Sequence, residues 1–468
     1  MDNQDTIKEK LRGYDNQKFE WKFLGWGSIV ALGEYIDAFA IVAFSAALVY
    51  VTPLYHIPAI LVGLVPAIFG YTWITIALGG GHISDSIGWK TLYKWDPVIV
   101  IIGSFLMVLS PYLNYDLVLL MFGYGMVGVG VGLDIPASEA LIAELSPRKH
   151  RRKMMTLASI WWYIGPMSAL LIALFSPVNV VGFERLFIFL IEFAIFTYIL
   201  RMLLVESPRY LLLRNQVHLF NKEIKRTHGV KEGINTKEDA SGMYHKYKWK
   251  DLFMPSLVGF TIYIMLMNIF WAVRASTFSI YQPYIAKGIG GVGFRGAGER
   301  DMLWFLTSIV GLLLSWLYVD KPGTTFNRKN LFILSGVIVG IGFILFGVIP
   351  LTRPVLGLLS VAIIGFFQGF GMWPIIWIWG TERFPTAVRA AGPGFLSETD
   401  RYVNYSWTLA LPAILIVLGL RNVAFVLASV AIIMAVASVL FAPKKKESES
   451  LEDIENLLST WRGTKRTA

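Results

Sequence analysis

The chain contains no cysteine and only six histidines. The first absence excludes disulfides, thiol nucleophiles and thiolate metal sites. The histidines do not cluster, and no metal-ligand spacing or phosphate-cradling glycine loop precedes a helix. An enzyme, a resident cofactor and a metal site are therefore not expected. Charge is scarce as well, at 16% of residues against roughly 25% in soluble domains. The polar stretch from Met1 to Glu20 lacks the short apolar core and small-residue cleavage site of a signal peptide. A net charge of +10 would suggest nucleic acid in a soluble protein. Here the basic residues sit between apolar runs, where they serve as orientation signals, so no nucleic-acid partner is expected.

What the chain does have is apolar length. Hydrophobic residues make up 55% of it, and the mean hydropathy is +0.57. Runs of about 20 apolar residues recur, each long enough to cross a hydrocarbon core of roughly 30 Å. Twelve spans are predicted, near 23–51, 60–78, 97–113, 117–145, from 154 onward, 186–205, 255–285, 302–319, 331–350, 355–380, 393–419 and 422–442. The fold class is thus an all-α integral membrane protein with twelve transmembrane helices. The basic loops alternate. Lys90 and Lys94 follow span two, Arg148 to Lys153 follow span four, and Arg209, Arg214 and Lys222 follow span six. The positive-inside rule then puts both termini in the cytoplasm of a multi-pass cell-membrane protein.

The spans form two halves. Pro136, Glu144, Pro147 and Arg151 recur at the same spacing as Pro374, Glu382, Pro385 and Arg389, and Asp85-x-x-Gly88 recurs as Asp320-x-x-Gly323. The chain reads as one six-helix module written twice and related by pseudo-twofold symmetry. Residues 1–205 form the first half and 251–442 the second. A cytoplasmic linker (206–250) joins them, and a tail (443–468) follows, with Leu451, Ile454, Leu458 and Trp461 at helical spacing.

Charges inside membrane spans are costly and mark cavities or partners. Glu34 and Asp37 share one face of span one. Asp134 lies ten residues before Glu144, roughly 15 Å inward at helical rise. Arg401 lies roughly 18 Å inward from Arg389 by the same measure. These residues meet near mid-membrane, the depth at which duplicated transporters bind solutes. Asp37, Asp134, Glu34 and Glu139 are the candidate proton carriers. Arg401, Arg274, Asp134, Gln282, Trp162 and Gln368 are the candidate solute contacts. Arg401 has two possible kinds of partner: an anionic solute, or Glu398 or Asp400 beside it on the same helix.

Several motifs carry a family resemblance. Gly81-x-x-x-Asp85-x-x-Gly88-x-Lys90 resembles the loop signature of the major facilitator superfamily, and Asp320-Lys-Pro-Gly323 resembles its second-half copy. Glu206-Ser-Pro-Arg209 and Glu382-x-Phe-Pro385-x-x-x-Arg389 are similar to motifs of the sugar-porter-like branch. Within that branch, Asp134-x-Pro136 followed by Glu144 resembles a run in phosphate–proton symporters, as does Asp37-Ala-Phe39. The run from Arg389 to Arg401 is similar to a pattern of organic anion transporters. Ala40, Ser86, Trp89 and Leu133 depart from these patterns, and Arg274 stands about where a phosphate symporter carries an acid.

The resemblance implies alternating access and a cytoplasmic gate. The gate is built from Gly81, Asp85, Gly88, Lys90, Glu144, Arg151, Glu206, Arg209, Asp320, Glu382 and Arg389. Proton-coupled symport of a small anion, organic or phosphate, is the leading expectation. A proton-coupled sugar porter is the alternative, ahead of a drug exporter or a non-transporting membrane sensor. The partners implied are a small solute, protons and the lipid bilayer, and the chain is expected to be a monomer.

Overall fold

The computed structural model describes residues 21–57, 64–87, 89–146, 151–204, 206, 211, 216–228, 252–253, 255, 257–279, 294–318, 327–349, 354–382, 384 and 391–442. The first half contains α1 (Trp21–Leu54), α2 (Leu64–Ile87), α3 (Trp89–Leu109), α4 (Leu117–Leu145), α5 (Arg151–Leu174) and α6 (Val180–Arg201). Helix α7 (Val217–His228) follows, with Val217 and Phe220 buried and Lys222 and Lys225 exposed. The second half contains α8 (Val258–Ser279), α9 (Phe294–Tyr318), α10 (Arg328–Val348) and α11 (Pro354–Phe367). A π turn (Gln368–Met372) carries α11 into α12 (Trp373–Glu382). Helix α13 (Ala391–Phe441) breaks at Gly419, whose φ of 73° and ψ of 160° suit glycine. With α11 and α12 taken as one span and α13 as two, the chain has twelve spans, six in each half.

Nine of these stretches are apolar enough to cross a membrane on composition alone. The rest of the bundle is more polar. Helix α6 carries Glu184, Arg185, Glu192 and Arg201, and the first limb of α13 carries Glu398, Asp400 and Arg401. All backbone groups inside a bilayer must pair internally, which helices achieve. Their ends are capped by side chains. Asp116 accepts from the amides of Val118 and Leu119, Asn179 from Val181 and Gly182, and Asn327 from Asn330.

The cap at Asn179 starts α6 six residues before the expected 186, so the charged pair Glu184-Arg185 is helical. Span three also begins earlier than Pro97. Its helix opens at Trp89 and takes Pro97 into its interior, placing Tyr93 and Asp96 in the buried interior of the first half. The π turn adjoins Pro374, which has no amide hydrogen and crowds the carbonyl four residues back, so the wider turn relieves that contact.

Without a hydrophobic drive between helices in lipid, close packing depends on small residues. The glycine run of α4 shows this. A Cβ on Gly128 would lie 2.5 Å from the Phe69 carbonyl of α2, and one on Gly132 would lie 2.7 Å from that of Trp73. The same pairings occur in both halves: α1 with α5, α2 with α4 and α3 with α6, then α8 with α13, α9 with α11 and α10 with α13. Two main seams join the halves, α5 against α9 and α2 against α13.

Candidate functional site

A small cavity lies between these seams. Trp162 of α5, Trp271 of α8, Trp304 of α9 and Arg401, Asn404 and Tyr405 of α13 surround it, with Ala38, Ile41 and Val42 of α1 along one side. It encloses about 10 Å³, room for a single water. A solute can therefore be seated only when these side chains or the halves move apart. Arg401, Asn404 and Tyr405 reach the cavity together because residues three and four apart share a helix face. Tyr405 lies within electrostatic reach of both Arg401 and Asp37, and so connects the two halves.

Arg401 is 3% exposed, and its guanidinium carbon lies 4.3 Å from the centre of the Trp73 ring. It makes no ion pair with Glu398 or Asp400, and none of the four carboxylate oxygens of those residues accepts a hydrogen bond among the described residues. Arg274 is also buried, beside Tyr163, with Nε and Nη2 unpartnered among the described residues, and does not line the cavity. Gln368, in the π turn, is fully buried and approaches the Tyr163 hydroxyl.

The first half holds a second charged centre. Arg201, the last residue of α6, donates from Nη1 to both oxygens of Asp96 at 2.6 Å, and from Nη2 to Asp134 at 2.5 Å. Nη1 also donates to the Tyr93 carbonyl at 3.0 Å, and the Tyr93 ring lies 3.7 Å from the guanidinium carbon. The Tyr93 hydroxyl donates to the Val30 carbonyl of α1 at 2.6 Å. Helix α1 closes over the centre at Gly33, where a Cβ would fall on the Asp134 carboxylate and Arg201 Nη2. Asp37 and Glu34 lie within electrostatic reach of Asp134. Asp37 is 1% exposed, and its Oδ2 has no hydrogen-bond partner among the described residues.

Asp134, offered by the sequence as a proton carrier and solute contact, is thus also one member of an ion pair. Arg201 and Asp96 were missed because reading Pro97 as the start of span three left Asp96 in a loop. The signal was an Asp-Pro step at a span boundary and an arginine inside the last turn of span six.

A second cavity, of about 20 Å³, is lined by Glu34, Ser159, Trp162, Trp373 and Trp377. Trp162 lines both cavities and meets Trp373 at 6.0 Å between ring centres. Trp373 stacks on Trp271 at 4.0 Å. Trp379 packs instead against Tyr263 and Phe332.

Of the expected gate residues, Lys90 and Glu206 are described in full. The Lys90 amide donates to Glu206 Oε2 at 3.1 Å, so Glu206 caps the first turn of α3. Gly81, Asp85, Glu144, Arg151 and Glu382 lie on helical backbone, and their side chains fall outside the description, as does that of Glu139. Gly88, Arg209, Asp320, Arg389 and Gln282 lie outside the described residues.

Residues 23–458 match the family described as "Sugar (and other) transporter". The chain belongs to that family. The transporter is 28% identical over 433 residues to the minor myo-inositol transporter IolF of Bacillus subtilis (strain 168), an alignment covering 92% of each chain. It is 22% identical to the arabinose–proton symporter of the same organism, over 91% of this chain and 93% of the relative. Its fold matches the structure of the proton:xylose symporter XylE bound to 6-bromo-6-deoxy-D-glucose, with a TM-score of 0.78 at 18% identity, covering 93% of this chain and 98% of the other. The transporter is therefore a multi-pass membrane protein of the major facilitator superfamily, built as six plus six helices, and not an enzyme.

Proposed function

We propose that the transporter moves a small polyhydroxylated solute, sugar- or inositol-like, together with protons by alternating access. The observation that carries this reading is the ring of three tryptophans around the cavity between the halves. Among the described residues, the indole N–H groups of Trp162 and Trp271 and the Asn404 Oδ1 there have no hydrogen-bond partners. Flat apolar faces suit the C–H faces of a sugar or cyclitol, and unmet donors and acceptors suit its hydroxyls. The myo-inositol and arabinose carriers among the relatives support the same class of solute. This reverses the order in which the sequence placed a simple anion ahead of a sugar.

The first-half centre supports proton coupling. Asp37 lies within electrostatic reach of Asp134, Glu34, Asp96 and Arg201, and Glu34 lies within reach of Asp134 and, across the halves, of Arg401. Arg201 is the one cation paired with these carboxylates among the described residues, and it is taken by Asp96 and Asp134, so in a low-dielectric interior a proton is retained on the remaining pair. Asp37 has no cation of its own at hydrogen-bond distance and is the proton carrier in this reading. Glu34, on the second cavity, is its route outward. Both termini lie in the cytoplasm, residues 1–205 and 251–442 rock against each other around the cavity, and the motif-bearing loops latch the cytoplasmic side. The working unit is a monomer.

The test is uptake into proteoliposomes under an imposed pH gradient. The wild type is expected to accumulate a sugar, a polyol or one of their acids. Asp37→Asn is expected to abolish accumulation while exchange at equal pH persists. Accumulation by Asp37→Asn at the wild-type level would remove Asp37 from the coupling step. Failure of the wild type to take up any hydroxylated solute would remove the whole reading.

A further inference from the structure

We infer that the solute carries a carboxylate on its hydroxylated body, as a sugar acid does, and that Arg401 is its counter-ion. The inference rests on the central cavity being the solute site. Arg401 lines that cavity and is 3% exposed. Among the described residues it makes no ion pair, and no hydrogen bond holds its guanidinium. Its recorded contact is the Trp73 ring, 4.3 Å from the guanidinium carbon. An arginine stacked on an indole has its flat face occupied and keeps its N–H edge for bonding. That edge is the part that grips a carboxylate in a two-pronged bond.

The neighbouring acids do not fill this role. Glu398, Asp400 and, from the other half, Glu34 influence Arg401 through space, but none forms an ion pair with it, and the oxygens of Glu398 and Asp400 accept no hydrogen bond from any described residue. The cation therefore lacks a bonded acceptor among the described residues. Arg274, a second buried guanidinium in the same half, also lacks an ion-pair partner among the described residues and adds to the positive potential. Arg201 provides the internal contrast, since two carboxylates hold it at 2.5 and 2.6 Å. Hydroxyl groups could satisfy the N–H groups of Arg401 but would leave its charge unbalanced in a dry site. A carboxylate would do both. The tryptophans and Asn404 would then serve the hydroxylated remainder, so the site calls for a solute with both features.

The test compares matched solutes on the purified full-length transporter. D-gluconate and D-glucuronate are set against D-glucose and myo-inositol, with equilibrium binding and thermal shift as readouts. The acids are expected to bind roughly 30-fold or more tightly than the neutral compounds. Arg401→Gln is expected to bring the acids down to the neutral level without lowering the melting temperature. Arg401→Lys is expected to recover part of the preference, because it keeps the charge and loses the fork. Equal wild-type affinity for acid and neutral forms would overturn the inference and leave the hydroxylated-solute reading in place. So would an acid preference that survives in Arg401→Gln. Absence of binding by acids and neutral compounds alike would overturn both.

Discussion

Two buried arginines in this molecule have opposite surroundings. Arg201 sits at the end of α6, held by Asp96, Asp134 and the Tyr93 carbonyl. Arg401 sits in the first limb of α13 against an indole face, with no acid bonded to it among the described residues. The charge of the first is saturated by two carboxylates; that of the second, among the described residues, is not. A saturated charge fixes helices in place, because removing it strands its partners. An unsaturated charge at a cavity costs stability in the resting protein and becomes useful only when something arrives. The two halves of a duplicated fold have thus diverged, one toward a locked charge and the other toward an open one.

This contrast can be broken experimentally. The largest effect is expected for Arg201→Ala, which leaves Asp96 and Asp134 buried without a cation and costs about 3–5 kcal/mol. It should appear as a large drop in melting temperature, and adding Asp134→Asn should restore part of it. A melting temperature unchanged from wild type would show that the cluster does not hold the first half together. A smaller loss, about 1–3 kcal/mol, is expected for Gly33→Ala, because the new methyl group presses on the Asp134–Arg201 pair. Thermal melting of that variant sharpens the comparison, since the strain reaches only the first-half centre. The smallest effect, opposite in sign, is expected for Arg401→Ala in the same assay. Removing an unbalanced buried cation should leave the melting temperature unchanged or raise it slightly. A drop as deep as that of Arg201→Ala would erase the distinction between the two arginines.

Much of the architecture was legible in the sequence, because apolar length and charge spacing are local properties. The twelve spans follow from residues close together in the chain, and the six-plus-six division from motifs that recur about half a chain apart. The first-half centre was not legible. Arg201 meets Asp96 and Asp134 only when α3, α4 and α6 pack together, and no local pattern announces that meeting. Pro97 misled directly, since a proline usually opens a helix and here sits inside one. Glu34 and Asp37 were correctly seen to share a face. That they face Asp134 across Gly33 depended on how closely α1 approaches α4, which only the packed structure gives. The roles of the tryptophans are likewise set by packing: Trp271 borders the cavity, whereas Trp379 packs against Tyr263 and Phe332.

The π turn at Gln368–Met372 has a mechanical consequence. It holds one residue more than an α turn, and a single added residue offsets helical register by roughly 100°. Gly365 of α11 packs against the Trp304 carbonyl and Thr307 of α9, and Gly369 at the start of the turn against Ser308, so the part of the span before the break is clamped. Below it, Trp373 and Trp377 line the second cavity with an angular setting that the clamped part does not dictate. Moving the extra residue along the backbone would turn α12 like a key in a fixed barrel. The indoles could then be re-aimed without unpacking the helix above them.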